Sequence, residues 1–152
     1  MATVSTQPQS TSLQLQVRRT FAAPRTKVFR AWTDPQTLKE WFGPPGYTTL
    51  AAEVDLRKGG KYRLTMRKDP DGDPFNAFGI FEDVRAPEKL VYTWNWDHRD
   101  IGDTLVTLEF RDLGGQTEIV LTHERLPNTE ERDGHGTGWN GCFDRLQQFL
   151  KK

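Results

Sequence analysis

Residues 126–150 read LPNTEERDGHGTGWNGCFDRLQQFL, and this stretch carries the only long helical pattern in the chain. Asn128 is a suitable N-cap and Glu131 follows three residues later, as in a capping box, so the spacing predicts a helix that begins near Thr129. Apolar residues then recur at helical spacing and form one stripe about 100° wide. The stripe consists of Trp139, Cys142, Phe143, Leu146, Phe149 and Leu150. Such a helix must pack on an apolar surface.

The first half of this predicted helix is rich in glycine, with Gly134, Gly136, Gly138 and Gly141 inside eight residues. Each glycine costs roughly 0.5–1 kcal/mol relative to alanine in a helix interior, so their number needs a reason. Three explanations remain open. The helix approaches a sheet closely, space is left between helix and sheet for a small molecule, or the first turns are kinked or broken.

The length is that of one domain, and the composition gives it no net charge. Lys plus Arg equals Asp plus Glu, at 21 each in 152 residues, which argues against nucleic acid and anionic membranes as partners. No run approaches the roughly 18 apolar residues of a membrane span, and no signal peptide pattern opens the chain. The single Cys142 excludes an intramolecular disulfide. We therefore expect a soluble, cytoplasmic protein.

The N-terminal third predicts a tail, a strand and two short helices. Residues 1–12 are mostly Ser, Thr and Gln, which predicts a disordered tail before a single domain at 13–152. Leu13 to Phe21 alternates apolar and polar residues, as in a half-buried strand. Pro24 and Asp34 then suit the first turns of two helices, and the GPPG run that follows ends the second.

The middle of the chain changes to strand-length segments separated by turn residues. We place six strands near residues 47–56, 60–68, 75–85, 89–96, 103–111 and 116–124. Gly59-Gly60 and Gly114-Gly115 are typical of tight hairpins, which favours a meander. The predicted fold is α+β, with a curved antiparallel sheet of about seven strands wrapped on the last helix.

Period-two alternation assigns one apolar, concave face to this sheet. Its members are Tyr62, Leu64, Met66, Leu90, Tyr92, Trp94, Trp96, Val106, Leu108, Phe110, Ile119, Leu121 and His123. The alternate positions, such as Lys61, Arg63 and Glu109, predict a solvated outer face. With five Trp, three Tyr and nine Phe in so polar a chain, we expect the aromatic residues to line a core or a cavity.

Four segments occur in an order that is typical of one superfamily: FAAPRTKVFRAWTDPQTLKEWFGP at 21–44, EVDLRKGGKYRLTM at 53–66, PEKLVYTW at 87–94 and GWNGCFDRLQQFL at 138–150. They resemble the START-like (SRPBCC) helix-grip superfamily and, more narrowly, bacterial relatives of the ATPase activator of the ninety-kilodalton heat-shock chaperone. The resemblance covers residues 13–152. It implies a sheet gripping the C-terminal helix, with a cavity between them that takes a hydrophobic small molecule in many relatives. It implies no particular reaction.

The candidate ligand-binding residues are those that line this expected cavity. They are Tyr62, Leu64, Met66, Tyr92, Trp94, Trp96, Val106, Leu108, Phe110, His123, His135, Trp139 and Phe143. The alternative for each is an ordinary core position. We expect Trp32, Trp41 and Phe42 to close one end of the sheet, with Trp41 in the core. The DPDGDP run at 69–74 leaves the site boundary near residues 69–78 open.

The three histidines have different prospects for acid–base chemistry. His123 points inward at the end of the last strand, where it either faces the cavity or makes a structural hydrogen bond. His135 lies four residues before Trp139 and so on the inner face of the helix. His98 belongs to a turn and should be exposed.

Catalytic, cofactor and metal motifs are not found. The sequence has no GxSxG, no phosphate-binding glycine loop and no HxxxH pair, and Cys142 lies on a packed stripe, so we expect no cofactor, no metal and a structural thiol. The favoured function is binding of a small hydrophobic or aromatic molecule. One alternative is a chaperone partner with a role in stress response, and another is a cyclase or dehydratase. A monomer and a homodimer both remain open.

Overall fold

The structure is a computed structural model that describes residues 13–151. The predicted tail at 1–12 and Lys152 lie outside the described residues. The elements, in chain order, are β1 (Leu13–Phe21), α1 (Arg25–Thr33), α2 (Pro35–Trp41), β2 (Tyr47–Val54), β3 (Lys61–Lys68), β4 (Phe75–Arg85), β5 (Lys89–Trp96), β6 (Thr104–Asp112), β7 (Thr117–Leu126) and α3 (Thr129–Leu150).

The seven strands form one antiparallel sheet in the order β1-β7-β6-β5-β4-β3-β2. The predicted meander is confirmed from β2 to β7, and β1 returns to pair with β7 at the opposite edge from β2. Glycines with positive φ occupy the two predicted hairpins: Gly59 at 84°, Gly114 at 78° and Gly115 at 95°. A residue with a side chain rarely adopts this conformation, so the turns require glycine.

The core lies between the concave face of the sheet and α3. All of the predicted inward-facing residues are buried except Trp96, which is half-buried. The apolar stripe of α3 packs against them, and of its six residues only Phe149 is partly buried rather than buried. Both the period-two and the helical patterns are therefore confirmed as descriptions of the core.

α3 begins as predicted. The Asn128 side chain accepts a hydrogen bond from the Glu131 N–H at 2.8 Å. The Glu131 carboxylate does not complete a capping box, since it contacts Arg99 and His135 instead. The helix is continuous from Thr129 to Leu150, so a broken first turn does not explain its glycines.

The second half of α3 is anchored to the GPPG loop, residues 43–46. A Cβ at Gly141 would lie 2.7 Å from Cδ of Pro45 and 3.2 Å from Cβ of Pro44, so only glycine permits this approach. One turn later, Nη1 of Arg145 donates to four backbone oxygens, at 2.8–3.4 Å, of Phe42, Gly43, Pro44 and Tyr47. The close approach expected from the glycines is thus present at Gly141, but to a loop rather than to the sheet.

The two short helices pack against the sheet, α2 on β2 and α1 on β6. Asp34 caps α2 by accepting from the Thr37 N–H at 3.0 Å and from its hydroxyl at 2.7 Å, and these bonds hold the pKa of Asp34 below its usual value. Trp41 is buried, and its indole N–H donates to the Ala31 carbonyl at 2.8 Å. The prediction that Trp41 belongs to the core is confirmed.

Candidate functional site

A cavity of about 260 Å³ lies between the GPPG loop, strands β3 to β5 and the first half of α3. Six aromatic residues contribute to its walls: Phe42, Tyr47, Phe75, Trp94, Trp96 and Trp139. Met66, Pro44 and Cys142 add apolar surface. The arrangement is that of a small-molecule pocket, which is concave and largely apolar with a few placed polar groups.

The structure brings together five of the predicted site residues at this cavity: Met66, Trp94, Trp96, His135 and Trp139. Three others, Tyr62, Leu64 and Tyr92, border a separate void of about 20 Å³, which is close to the volume of one water molecule. The remaining five pack in the core away from both spaces: Val106, Leu108, Phe110, His123 and Phe143.

The five core residues are covered by neighbouring elements. Phe110 meets Phe29 of α1 with ring centroids 5.1 Å apart, and Phe143 meets Phe21 of β1 at 5.5 Å. Strand alternation identifies the face on which a residue lies, but the helices decide where along that face a space remains.

Several lining residues were not predicted, and most of them lie in loops or at strand ends. Tyr47 and Phe75 open β2 and β4, Arg99 lies in the β5–β6 loop, and Glu131 lies in the first turn of α3. A clue to Phe75 was its position directly after the DPDGDP loop. Of residues 69–78, for which the sequence left the limit of the site open, Phe75 lines the cavity and the DPDGDP loop before it does not.

Two glycines of α3 face open space. Gly134 and Gly138 line the cavity, and a Cβ built at either one meets nothing within 4 Å. An alanine at these positions would clash with nothing, so the glycines keep room beside the helix. Open space beside the helix, which the second explanation for the glycine-rich segment requires, is therefore present at these two positions.

His123 is a buried structural residue. The Thr104 hydroxyl donates to the Trp94 carbonyl at 2.5 Å, so it accepts from Nε2 of His123 at 2.8 Å. The Trp139 indole N–H donates to Nδ1 at 3.0 Å. Burial lowers the pKa of His123 to about 3, with the nearby His135 adding to the effect, and the ring is neutral at physiological pH. The sequence left two possibilities for His123, a cavity-facing residue or a structural hydrogen bond, and the structure shows the hydrogen bond.

His135 lines the cavity but is also fully bonded. Its Nε2 accepts from the indole N–H of Trp96 at 3.1 Å, and its Nδ1 donates to the Glu131 carbonyl at 2.8 Å. Burial is the main cause that lowers its pKa, so the ring is neutral. Neither buried histidine therefore offers an unused nitrogen for acid–base chemistry.

The polar groups of the cavity gather at its rim. Arg99 forms an ion pair with Glu131, and its guanidinium carbon lies 5.9 Å from the centre of the Trp96 ring. Oε1 of Glu131 lies 3.5 Å from Nδ1 of His135. His98 is exposed, as predicted, yet it also lines the cavity.

Cys142 is an unreactive part of the wall. Burial raises the pKa of its thiol to about 12, so the sulfur is protonated.

Among residues 13–151, no three His, Cys, Asp or Glu side chains lie close enough to hold a metal ion. The indole nitrogen of Trp94 is buried and has no hydrogen-bond partner among these described residues. No helix of these residues is both long and apolar enough to cross a membrane.

A curved antiparallel sheet wrapped on a long C-terminal helix, with two short helices after the first strand, defines a START-like (SRPBCC) protein of the helix-grip class. The sequence narrows this class to a family. Residues 22–151 match the family described as Activator of Hsp90 ATPase homolog 1-like protein, and the chain belongs to it. The resemblance inferred from the four sequence segments is confirmed.

Solved structures with this fold come from several bacteria. A protein from Chromobacterium violaceum has a TM-score of 0.81 at 24% identity, covering 90% of this chain and 96% of that one. One from Nitrosomonas europaea has a TM-score of 0.77 at 27% identity, covering 91% and 94%. An AHSA1 protein from Silicibacter pomeroyi has a TM-score of 0.81 at 24% identity, covering 91% and 98%. These likenesses establish the fold.

The curated relatives are longer proteins. The human Activator of 90 kDa heat shock protein ATPase homolog 1 is 23% identical over 131 residues, which are 86% of this chain but 34% of the human protein. The mouse protein of the same name is 22% identical over 131 residues, which are again 86% of this chain and 34% of the relative. This chain therefore spans about a third of the length of the curated relatives that it matches.

Proposed function

We propose that this protein binds one small, largely aromatic molecule in the cavity beside α3. The observation that carries the proposal is a partly open space of about 260 Å³ bordered by six aromatic residues. This volume lies just below the roughly 300–1,000 Å³ of most ligand pockets, so it suits a molecule of one or two rings. Burying such a ligand removes apolar surface from water, which favours binding by about 25 cal/mol for each Å² buried.

The glycines of α3 support the proposal. Gly134 and Gly138 forgo the roughly 0.5–1 kcal/mol that alanine would add to helix stability, although nothing in the structure blocks a methyl group there. The space they leave belongs to the cavity. A binding role explains why a stable fold keeps an open volume in place of a filled core.

The expected contacts combine predicted and newly identified residues. Met66, Trp94, Trp96, His135 and Trp139 come from the sequence prediction. The structure adds Phe42, Tyr47 and Phe75 as further aromatic walls. The other eight predicted contacts have no access to this cavity and are not part of the proposed site.

The test is a titration with 2-naphthol, followed by tryptophan fluorescence, because three tryptophans line the cavity. We expect saturable quenching in the wild-type protein. Gly138→Leu should reduce the affinity at least about tenfold by filling the cavity. Thr137→Leu is the matched control, since Thr137 is exposed at the preceding position of the same helix and does not line the cavity. Equal binding by both variants, or no quenching in the wild-type protein, would reject the proposal.

A chaperone-activating function is the second candidate. It is favoured by the family and by the human relative's name, and it predicts an exposed apolar patch. Phe78 and Ile80 lie two residues apart on β4 and are 37% and 41% exposed. Stimulation of the ATPase of a bacterial ninety-kilodalton chaperone by the wild-type protein, lost in Phe78→Ser/Ile80→Ser, would support it. No stimulation by the wild-type protein would reject it.

A further inference from the structure

We infer that the ligand of this cavity carries a cationic head, an ammonium or quaternary ammonium group on a small apolar body. The head would lie between the aromatic walls and the Glu131 carboxylate. This inference rests on the proposed binding function, and it specifies the ligand's charge, which the cavity's apolar character alone does not.

The aromatic walls are suited to a cation. Trp94 and Trp96 meet at an interplanar angle of 84° with centroids 5.2 Å apart, and Phe42 and Trp139 meet at 77° and 6.2 Å. All four rings border the cavity, and they do so in more than one orientation. A cation held over the face of an aromatic ring is attracted by the ring quadrupole, and proteins use aromatic cages to recognise quaternary ammonium groups.

The two segments that supply the lining residues Arg99 and Glu131 are both net acidic, which favours the same sign. The β5–β6 loop, residues 97–103, carries three aspartates and one arginine, and residues 129–133 of α3 carry three acidic residues and one arginine. Hydrogen bonds with Asn76 and Asn95 hold the pKa values of Asp97 and Asp100 below their usual range, so these carboxylates are ionised. Six carboxylates against two guanidiniums attract cations and repel anions.

Apart from the unpartnered indole N–H of Trp94, the polar side chains of the cavity offer little to an anion. His135 is neutral and uses both ring nitrogens. Arg99 is the one cationic side chain in the lining among residues 13–151, and Glu131 already neutralises it. An anionic ligand would have to displace the Glu131 carboxylate from Arg99, beside two segments that are net acidic.

Arg99 already shows the contact that we infer for the ligand. Its guanidinium lies over Trp96 while it is paired with Glu131. The Arg99 side chain is 47% exposed and can turn to solvent, whereas the Glu131 side chain is only 15% exposed and stays beside His135. A ligand cation would therefore replace one cation with another at the same carboxylate.

The experiment compares choline with 3,3-dimethylbutan-1-ol, its neutral isostere with carbon in place of nitrogen, by isothermal titration calorimetry. We expect the wild-type protein to bind choline about tenfold more tightly than the alcohol. Glu131→Gln should remove most of that preference. Glu130→Gln is the matched control, because it makes the same charge change one residue away at an exposed position outside the cavity lining. Arg99→Gln should tighten choline binding several-fold by removing the competing cation.

The outcomes separate this inference from the proposed function. If the alcohol binds as tightly as choline, the cationic head is wrong and the small-molecule proposal stands. If choline, the alcohol and 2-naphthol all fail to bind the wild-type protein, both are wrong. A choline preference that Glu131→Gln and Glu130→Gln reduce equally would overturn the role given to Glu131.

Discussion

At the scale of single residues, the burial of His123 makes the fold sensitive to acid. Its pKa is about 3 in the folded chain against 6.5 for an ordinary histidine, so the unfolded chain binds more protons between these values. The contribution of neutral His123 to stability is complete above pH 6.5 and declines as the pH falls through that window. The pKa of His135 is lowered too and acts in the same direction.

We therefore expect the free energy of unfolding to fall between pH 6.5 and 5, by up to about 1.4 kcal/mol per pH unit for His123 alone. Urea denaturation at several pH values measures this slope before most carboxylates begin to titrate. His123→Gln should be less stable at pH 7.5 but should show a shallower slope. His98→Asn is the control that keeps both buried histidines. A slope unchanged by His123→Gln would contradict the role of this residue.

The glycines of α3 make separate predictions, because each faces something different. Gly138→Ala should raise the free energy of unfolding by roughly 0.5–1 kcal/mol, since the helix gains a better helix former and the methyl group meets only the cavity. The same change should weaken ligand binding. Gly136→Ala, whose Cβ meets only a Leu15 methyl at 3.9 Å, should stabilise the protein without affecting the ligand.

Gly141→Ala should have the opposite effect on stability. Its Cβ would lie 2.7 Å from the Pro45 ring, so the GPPG loop must move, at a cost of about 1–3 kcal/mol. Urea denaturation of Gly136→Ala and Gly141→Ala side by side provides the measurement. A Gly141→Ala variant as stable as the wild-type protein would show that the GPPG loop moves without a cost in stability, which would contradict the prediction.

At the scale of elements, Arg145 connects α3 to the loop that forms one wall of the cavity. Replacing it by methionine leaves four backbone oxygens without this donor, and we expect a loss of about 1–3 kcal/mol in the free energy of unfolding. Ligand affinity should fall as well, because Phe42 and Pro44 line the cavity. Arg132→Met is the control, since within residues 13–151 the Arg132 side chain pairs only with its exposed neighbour Asp133. Equal stability of the two variants would contradict the anchoring role.

The element order was predictable because each element carries its own periodicity and its own start and stop residues. The alternation from Leu13 to Phe21 and the Asn128 cap locate β1 and the start of α3 at the observed residues. The remaining strand ends differ from the prediction by at most two residues, as expected where a turn rather than a pattern decides the last hydrogen bond. The fold class followed from this order.

At the scale of the whole molecule, the candidate site was only partly predictable. Alternation correctly puts Phe110 and Trp94 on the same face, but α1 covers Phe110 while Trp94 borders the cavity. Which inward residues meet open space depends on how the helices and the GPPG loop lie across the sheet. The rim residues Arg99 and Glu131 come from separate segments, and no local pattern pairs them.

Native mass spectrometry of the freshly purified protein shows whether the space beside α3 holds a small molecule. We predict an added small-molecule mass on the wild-type protein that is lost on denaturing solvent extraction and is absent from Gly138→Leu. The Thr137→Leu control should keep the added mass. A wild-type protein that is bare, and that stays bare after incubation with 2-naphthol and with choline, would contradict the claim.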